Sequence, residues 1–166
     1  VIARRFNERY APVFPVPEVL LTSVPELPGL DGRKMSKSYG NTIALGMTAY
    51  QTAAAIRKAR TDTDRRITFD PVARPGVSAL LTTAAICSGT TPQALADRLG
   101  DAGAGRLKQL TTEAVNDFLA EHRRRRAELA ADEGYILEVL RAGNATANAI
   151  GDATLAEVRT AMGTAY

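Results

Sequence analysis

The stretch that decides the reading of this chain is Leu27-Pro28-Gly29-Leu30-Asp31-Gly32-Arg33-Lys34-Met35-Ser36-Lys37-Ser38-Tyr39-Gly40-Asn41. Its glycines and proline forbid a long helix or a central strand, so it reads as a loop with permissive hinges. Within the loop stand two ammonium groups, Lys34 and Lys37, and two hydroxyls, Ser36 and Ser38. That combination suits phosphate oxygens, because a lysine is a point charge on a flexible stem that can follow a phosphate as it moves. Such a loop can close over a nucleotide, add positive charge as the leaving group becomes more negative, and reopen. The Gly-x-x-x-x-Gly-Lys-[Ser/Thr] spacing of a P-loop is absent. On residue chemistry alone, the competing reading is a solvated basic surface loop.

Working outward, the sequence before the loop predicts a helix to about residue 10, ended by Pro12, Pro15 and Pro17. Val19 to Thr22 reads as a short strand, and one or two short strands are expected between residues 19 and 45. The chain opens Val1-Ile2-Ala3-Arg4-Arg5-Phe6-Asn7 with no initiator Met and no cap, which reads as the inside of a helix in a longer protein. After the loop the pattern turns helical. Ala49, Ala53 and Ile56 recur at helical spacing, with Arg57, Lys58 and Arg60 gathered where cations suit the helix dipole. Val77 to Ser88 is stopped by Gly89, and Pro92 to Leu99 by Gly100.

A long helix follows, with Leu107, Thr111, Ala114, Val115, Phe118, His122 and Leu129 predicted on its packed side. Ile136, Leu137 and Leu140 begin another segment, and Leu155, Val158 and Met162 form a last stripe closed by Gly163. Arg123 to Arg126 tempt a nucleic-acid reading. Consecutive helical residues step ~100°, however, so the four circle the helix rather than form one patch. Arg125 then falls on the apolar side with Arg126 beside it, while Arg123 and Arg124 point away. The expected division is residues 1–46, carrying the loop, and residues 47–166, helical.

Composition narrows the class. With 45% hydrophobic residues in 166, the chain can bury a core, and no apolar run reaches the ~18 residues of a membrane span. The amino terminus has no basic segment followed by an apolar core and no small-residue cleavage site, so a soluble cytoplasmic protein is expected. Cys87 is the single cysteine and reads as core filler; His122 is the single histidine and reads as packed. One of each makes a protein-ligated metal improbable. The net charge of +3 permits a polyanionic partner without requiring one.

Lys34-Met35-Ser36-Lys37-Ser38 matches the signature of class I aminoacyl-tRNA synthetases, in a setting of Pro-Gly-Leu-Asp-Gly-Arg before and Tyr-Gly-Asn after. The flanks resemble the tryptophanyl-tRNA synthetase family. These are Ala3 to Tyr10, Arg57 to Asp64, Gly76 to Leu81, Gly105 to Lys108 and Thr154 to Arg159. The resemblance covers essentially the whole chain and is that of a C-terminal fragment. It implies a mainly α fold: a helical tRNA-recognition region preceded by the loop and a remnant of a Rossmann-like α/β catalytic domain.

By the same resemblance, Lys34 and Lys37 are catalytic, and Lys34, Met35, Ser36, Lys37 and Ser38 contact ATP and pyrophosphate. Arg57, Lys58, Arg60, Arg123 and Arg124 are candidates for tRNA contact. ATP with its Mg2+, tryptophan and tRNA(Trp) are the implied substrates, and a homodimer the implied full-length state. There are departures. Gly143-Asn144-Ala145-Thr146-Ala147-Asn148 lacks the lysine the family usually has there, and Ala79 replaces a common Asn. The family's His-x-Gly-His turn is not among these residues. Hence the fragment alone is expected to be inactive. A tyrosyl-tRNA synthetase fragment and a non-catalytic tRNA-binding paralogue are the alternatives; the latter should have let the loop lysines drift.

Overall fold

A computed structural model describes all residues except Ser23, Pro25 and Tyr166. It is mainly α-helical. Among the described residues, six α-helices run in the order α1 Ile2–Arg9, α2 Ala49–Arg57, α3 Pro75–Ser88, α4 Pro92–Leu99, α5 Gly103–Ala130 and α6 Glu133–Met162. The chain divides into two compact units, residues 23–126 and residues 1–22 with 127–166.

The unit of residues 23–126 holds the core. Proline opens α3, where its missing N–H costs nothing, and Gly89 closes it in the left-handed conformation. Val77, Ser78, Ala79, Leu80, Leu81, Ala84 and Ala85 are all buried, so α3 is covered on nearly every side. The rest of the core comes from Ile56 and Ala59, Ile67, Leu95 and Leu99, and Leu107, Leu110, Val115 and Leu119. Thr48 caps α2 in a reciprocal box with Gln51, and Thr91 caps α4. Cys87 is partly buried against this core, and burial pushes its thiol pKa up.

Two close crossings fix the unit's geometry. Gly76 lies against the Arg60 carbonyl, where any Cβ would collide with that oxygen. The Arg60 amide in turn donates to the Leu30 carbonyl (3.0 Å). Arg74 organises residues 62–68: its guanidinium pairs with Asp62 (2.8 and 2.5 Å) and donates to the Arg66 carbonyl and Thr68 Oγ1. The hydrogen bond from Arg74, more than any other influence, lowers the Asp62 pKa.

In the other unit, α1 presents no buried residue. Phe6 packs against Tyr10 (4.9 Å between ring centroids) and edge-on to Phe14 (5.0 Å). Asn7 clamps the turn by bonding both the carbonyl and the amide of Phe14. Asp132 caps α6 on the Tyr135 amide, and the helix runs unbroken through Gly143 to Asn148 to its Gly163 terminus. The two segments expected from sequence are therefore one.

Three expectations need correction. Val19 to Thr22 forms no strand; Leu20 is 97% exposed, and among the described residues no edge pairs with it. A continuous apolar run becomes a strand only when both of its faces are covered and its ladder is shared. Among the described residues, the pairing near the loop is an isolated antiparallel bridge, Pro28 with Lys34. The stripe of α5 is also phased differently toward its end: Leu107, Leu110, Thr111, Val115 and Leu119 are buried, while Phe118 is 59% exposed and His122 is exposed. Arg123, expected to point away, continues the i, i+4 row of Leu107, Thr111, Val115 and Leu119, and Arg125, expected on the apolar side, is exposed.

Candidate phosphate-binding loop

The loop of residues 28–41 is built on a folded base. The Gly29 amide donates to the Arg33 carbonyl (2.7 Å) and the Gly32 amide to the Gly29 carbonyl (2.9 Å). Gly32 takes a φ of 81°, which only glycine adopts without strain. Asp31 accepts from the Arg33 amide (3.0 Å) and pairs with its guanidinium (2.7 Å). The Leu30 amide reaches the Asn41 carbonyl (2.9 Å), closing the loop's neck.

Asn41 fills the space inside. It is 4% exposed and uses both ends of its amide. Its Oδ1 accepts from the Ser36 amide (2.8 Å), while its Nδ2 donates to Asp31 Oδ1 (2.8 Å) and the Lys34 carbonyl (3.1 Å). Gly29 packs so closely on this side chain that a Cβ would overlap it. The Asn41 hydrogen bond first, and the Arg33 hydrogen bonds after it, hold the Asp31 pKa down at about 2. Asp31 is therefore an anion throughout the neutral range.

The candidate residues lie on the outer part. Lys37 to Tyr39 form one 3-10 turn, closed by Gly40 in the left-handed region (φ 64°). Ser36 Oγ and Ser38 Oγ share a hydrogen bond of 2.8 Å, and the Arg33 guanidinium stacks over the Tyr39 ring at 4.8 Å. Lys34 and Lys37 are exposed, and among the described residues neither is in an ion pair. Two uncompensated ammoniums on a turn with two hydroxyls form a surface that attracts an anion of several oxygens.

The structure separates the predicted basic cluster after the loop. Lys58 and Arg60 line a cleft of about 440 Å³ with Asp31, Tyr39, Tyr50 and Gln51, against the base of the loop. Arg57 lines a different cleft with Lys108 and Glu113, and its carbonyl accepts from Lys108 Nζ (3.1 Å). Arg124 is exposed and paired with Glu121 (2.6 Å). Arg123 is turned inward, donating to the Met47 carbonyl, Asn116 Oδ1 and Thr52 Oγ1, each at 3.0 Å. It holds the segment leaving the loop against α2 and α5.

Sequence reasoning missed two residues of the loop, Asn41 and Asp31. Their partners lie two to ten positions away with no periodicity, and an Asn after a Gly reads as a turn former. The one local signal was Gly29, a glycine at negative φ whose missing side chain makes room for another.

The sequence model of the family described as tRNA synthetases class I (W and Y) matches residues 1–120. The chain belongs to this family. Tryptophan–tRNA ligases of Aquifex aeolicus and Neisseria meningitidis are 36% and 40% identical to it, over 97% and 98% of this chain and 42% and 48% of theirs. The solved tryptophanyl-tRNA synthetase of Mycoplasma pneumoniae superposes with a TM-score of 0.78 at 26% identity, covering 98% of this chain and 51% of that one. That of Campylobacter jejuni, solved with ADP and tryptophan, does so at 0.71 and 27%, with the same coverages. The chain thus spans about half the length of the relatives it matches.

Proposed function

We propose that this chain is the ATP-loop and tRNA-recognition part of a tryptophan–tRNA ligase. The observation that carries the reading is the pair of exposed lysines, Lys34 and Lys37, on a loop whose base is folded around Asn41. In the reaction, a tryptophan carboxylate oxygen attacks the α-phosphorus of ATP, which arrives with Mg2+ as part of the substrate. The bond to the β-phosphate breaks, giving tryptophanyl-adenylate and pyrophosphate. A terminal hydroxyl of tRNA(Trp) then takes the tryptophanyl group and AMP leaves.

Lys34 and Lys37 bind the triphosphate, and bind pyrophosphate more strongly as it separates and gains charge. This preference for the later state makes them catalytic rather than adhesive. The Met35 backbone lies near the adenine, and Ser36 and Ser38 order the turn or bond phosphate oxygens. Arg57, Lys58, Arg60 and Arg124 are the cations proposed to meet tRNA; Arg123 is not, since its donors are directed inward.

Function divides near residue 46, the part before it belonging to the nucleotide-binding region, a Rossmann-like remnant, and the part after it to tRNA recognition. With one histidine, these 166 residues contain no His-x-Gly-His turn, so alone they are inactive. The whole enzyme is cytoplasmic and homodimeric; among the described residues, no helix is long and apolar enough to cross a membrane.

The test is ATP–pyrophosphate exchange by the full-length gene product, with tryptophan and tyrosine in parallel. Exchange with tryptophan is expected, lowered in Lys37→Ala chiefly through kcat, by about 10²-fold or more as for other lost transition-state donors. Exchange at an unchanged rate in Lys37→Ala would refute the role. Exchange by this stretch alone would refute its dependence on an upstream half.

A further inference from the structure

The loop contains two populations of residues. Lys34, Lys37, Ser38, Tyr39 and Gly40 are exposed, whereas Asn41 is buried beneath them. Asn41 is 4% exposed, and its amide is engaged within the loop itself. Its three side-chain bonds reach the Ser36 amide, the Lys34 carbonyl and Asp31. The first two are main-chain atoms of the signature itself. Asp31 in turn holds Arg33, whose guanidinium stacks on Tyr39, the last residue of the 3-10 turn that carries Lys37.

We propose that Asn41 is a positioning residue of the phosphate-binding loop, setting the directions of Lys34 and Lys37 through the backbone at residues 34 and 36 and through Asp31. This deepens the function proposed above and rests on it. The chemistry requires an amide and no other group. Oδ1 must accept from an N–H while Nδ2 donates to a carboxylate and a carbonyl at once, and no other side chain of this size does both. An aspartate is nearly isosteric but reverses the second function. It would set a carboxylate against Asp31 Oδ1 and the Lys34 carbonyl, acceptor against acceptor.

That substitution has a distinctive consequence. Two carboxylates at hydrogen-bond distance cannot both ionise easily, so one of them titrates well above the usual range and the pair shares a proton at lower pH. The shared proton restores a donor where Nδ2 had been. The charged groups near the pair are Arg33, bonded to Asp31, and Lys58 and Arg60 of the same cleft. All three are cations, and none is a carboxylate that could share the proton. Between about pH 8 and pH 6, recovery of Asn41→Asp is therefore a property of the carboxylate pair.

The experiment compares kcat and KM for ATP–pyrophosphate exchange in the full-length protein for wild type, Asn41→Ala, Asn41→Asp and Lys37→Ala. Each variant is expressed as a ratio to wild type at the same pH. Both Asn41 variants are expected to lose about tenfold or more in kcat, with KM for tryptophan within about twofold, from misdirected rather than missing lysines. The Asn41→Asp ratio recovers several-fold from about pH 8 to about pH 6, and the Asn41→Ala ratio does not.

Because that recovery compares one preparation with itself, poor folding of a variant does not mimic it. Gly29→Ala, which displaces the Asn41 side chain without altering its groups, is expected to follow Asn41→Ala in kcat. Asn41 variants within about twofold of wild type, or a deficit in Asn41→Asp that ignores pH, overturn the proposal while an impaired Lys37→Ala leaves the loop reading standing. An unimpaired Lys37→Ala removes the loop reading and this proposal together.

Discussion

Replacing Arg123 with alanine separates two readings of the same basic run. In the structure its guanidinium donates to the Met47 carbonyl, Asn116 Oδ1 and Thr52 Oγ1, each at 3.0 Å, and Thr52 is fully buried. Each such bond contributes about 1 kcal/mol net, and water can reach part of the space left by a half-buried side chain. The expected loss is therefore about 2–3 kcal/mol. For a chain of this size that corresponds to a fall in thermal midpoint of roughly 5–10 °C.

Arg124, the neighbouring residue, is exposed and pairs with Glu121 on the helix surface, so Arg124→Ala should leave the midpoint nearly where it was. Urea and thermal unfolding followed by helical circular dichroism measure both variants, and filter binding measures their affinity for tRNA. The structural reading expects Arg123→Ala to lose stability and Arg124→Ala to lose tRNA affinity without loss of stability. Equal thermal midpoints for the two variants would refute the assignment of Arg123 as an internal bracket.

Gly76→Ala should destabilise residues 23–126 by about 1–3 kcal/mol, since its Cβ meets a backbone carbonyl that cannot rotate away; denaturant midpoints check this. Asp31 has a folded-state pKa depressed to about 2, against 3.8 for the free side chain. Its contribution to stability is thus fully present above about pH 4 and is lost as the pH falls toward 2. Carboxyl NMR titration should find Asp31 ionised at pH values where exposed aspartates have protonated, and Asn41→Ala should raise its midpoint.

Helix ends were legible in the sequence because they are local. Pro92 and Gly100 bracket α4 as expected, and Gly89 ends α3, though α3 begins at Pro75 rather than Val77. The loop was legible as a turn of cations and hydroxyls, and family membership accords with the resemblance read there. The phase of α5 was not. Phe118 and Leu119 are adjacent and both apolar, so the period alone cannot choose between their rows over a helix of 28 residues.

Choosing the Leu119 row also decides that Arg123 turns inward, and what selects it is Thr52 and Met47, more than 70 positions away. Val19 to Thr22 misled for a related reason: strand propensity names a residue's fitness for a sheet, not whether a sheet is there. Asn41 escaped notice because a single buried amide in a polar loop leaves no mark in hydropathy.

Fixing Ser36 and Asn41 to one another leaves four residues, Lys37 to Gly40, between two moorings. Fully stretched they would measure ~14 Å, and doubled back they rise only about half of that above the base. Lys37 thus rides a short leash. In the role proposed for it, its ammonium would follow a departing anion across a few ångströms on backbone movement and somewhat farther on its own stem, then let go. The same amide proposed to aim the lysine would then limit its stroke, so that release of the anion would follow from the length of the tether.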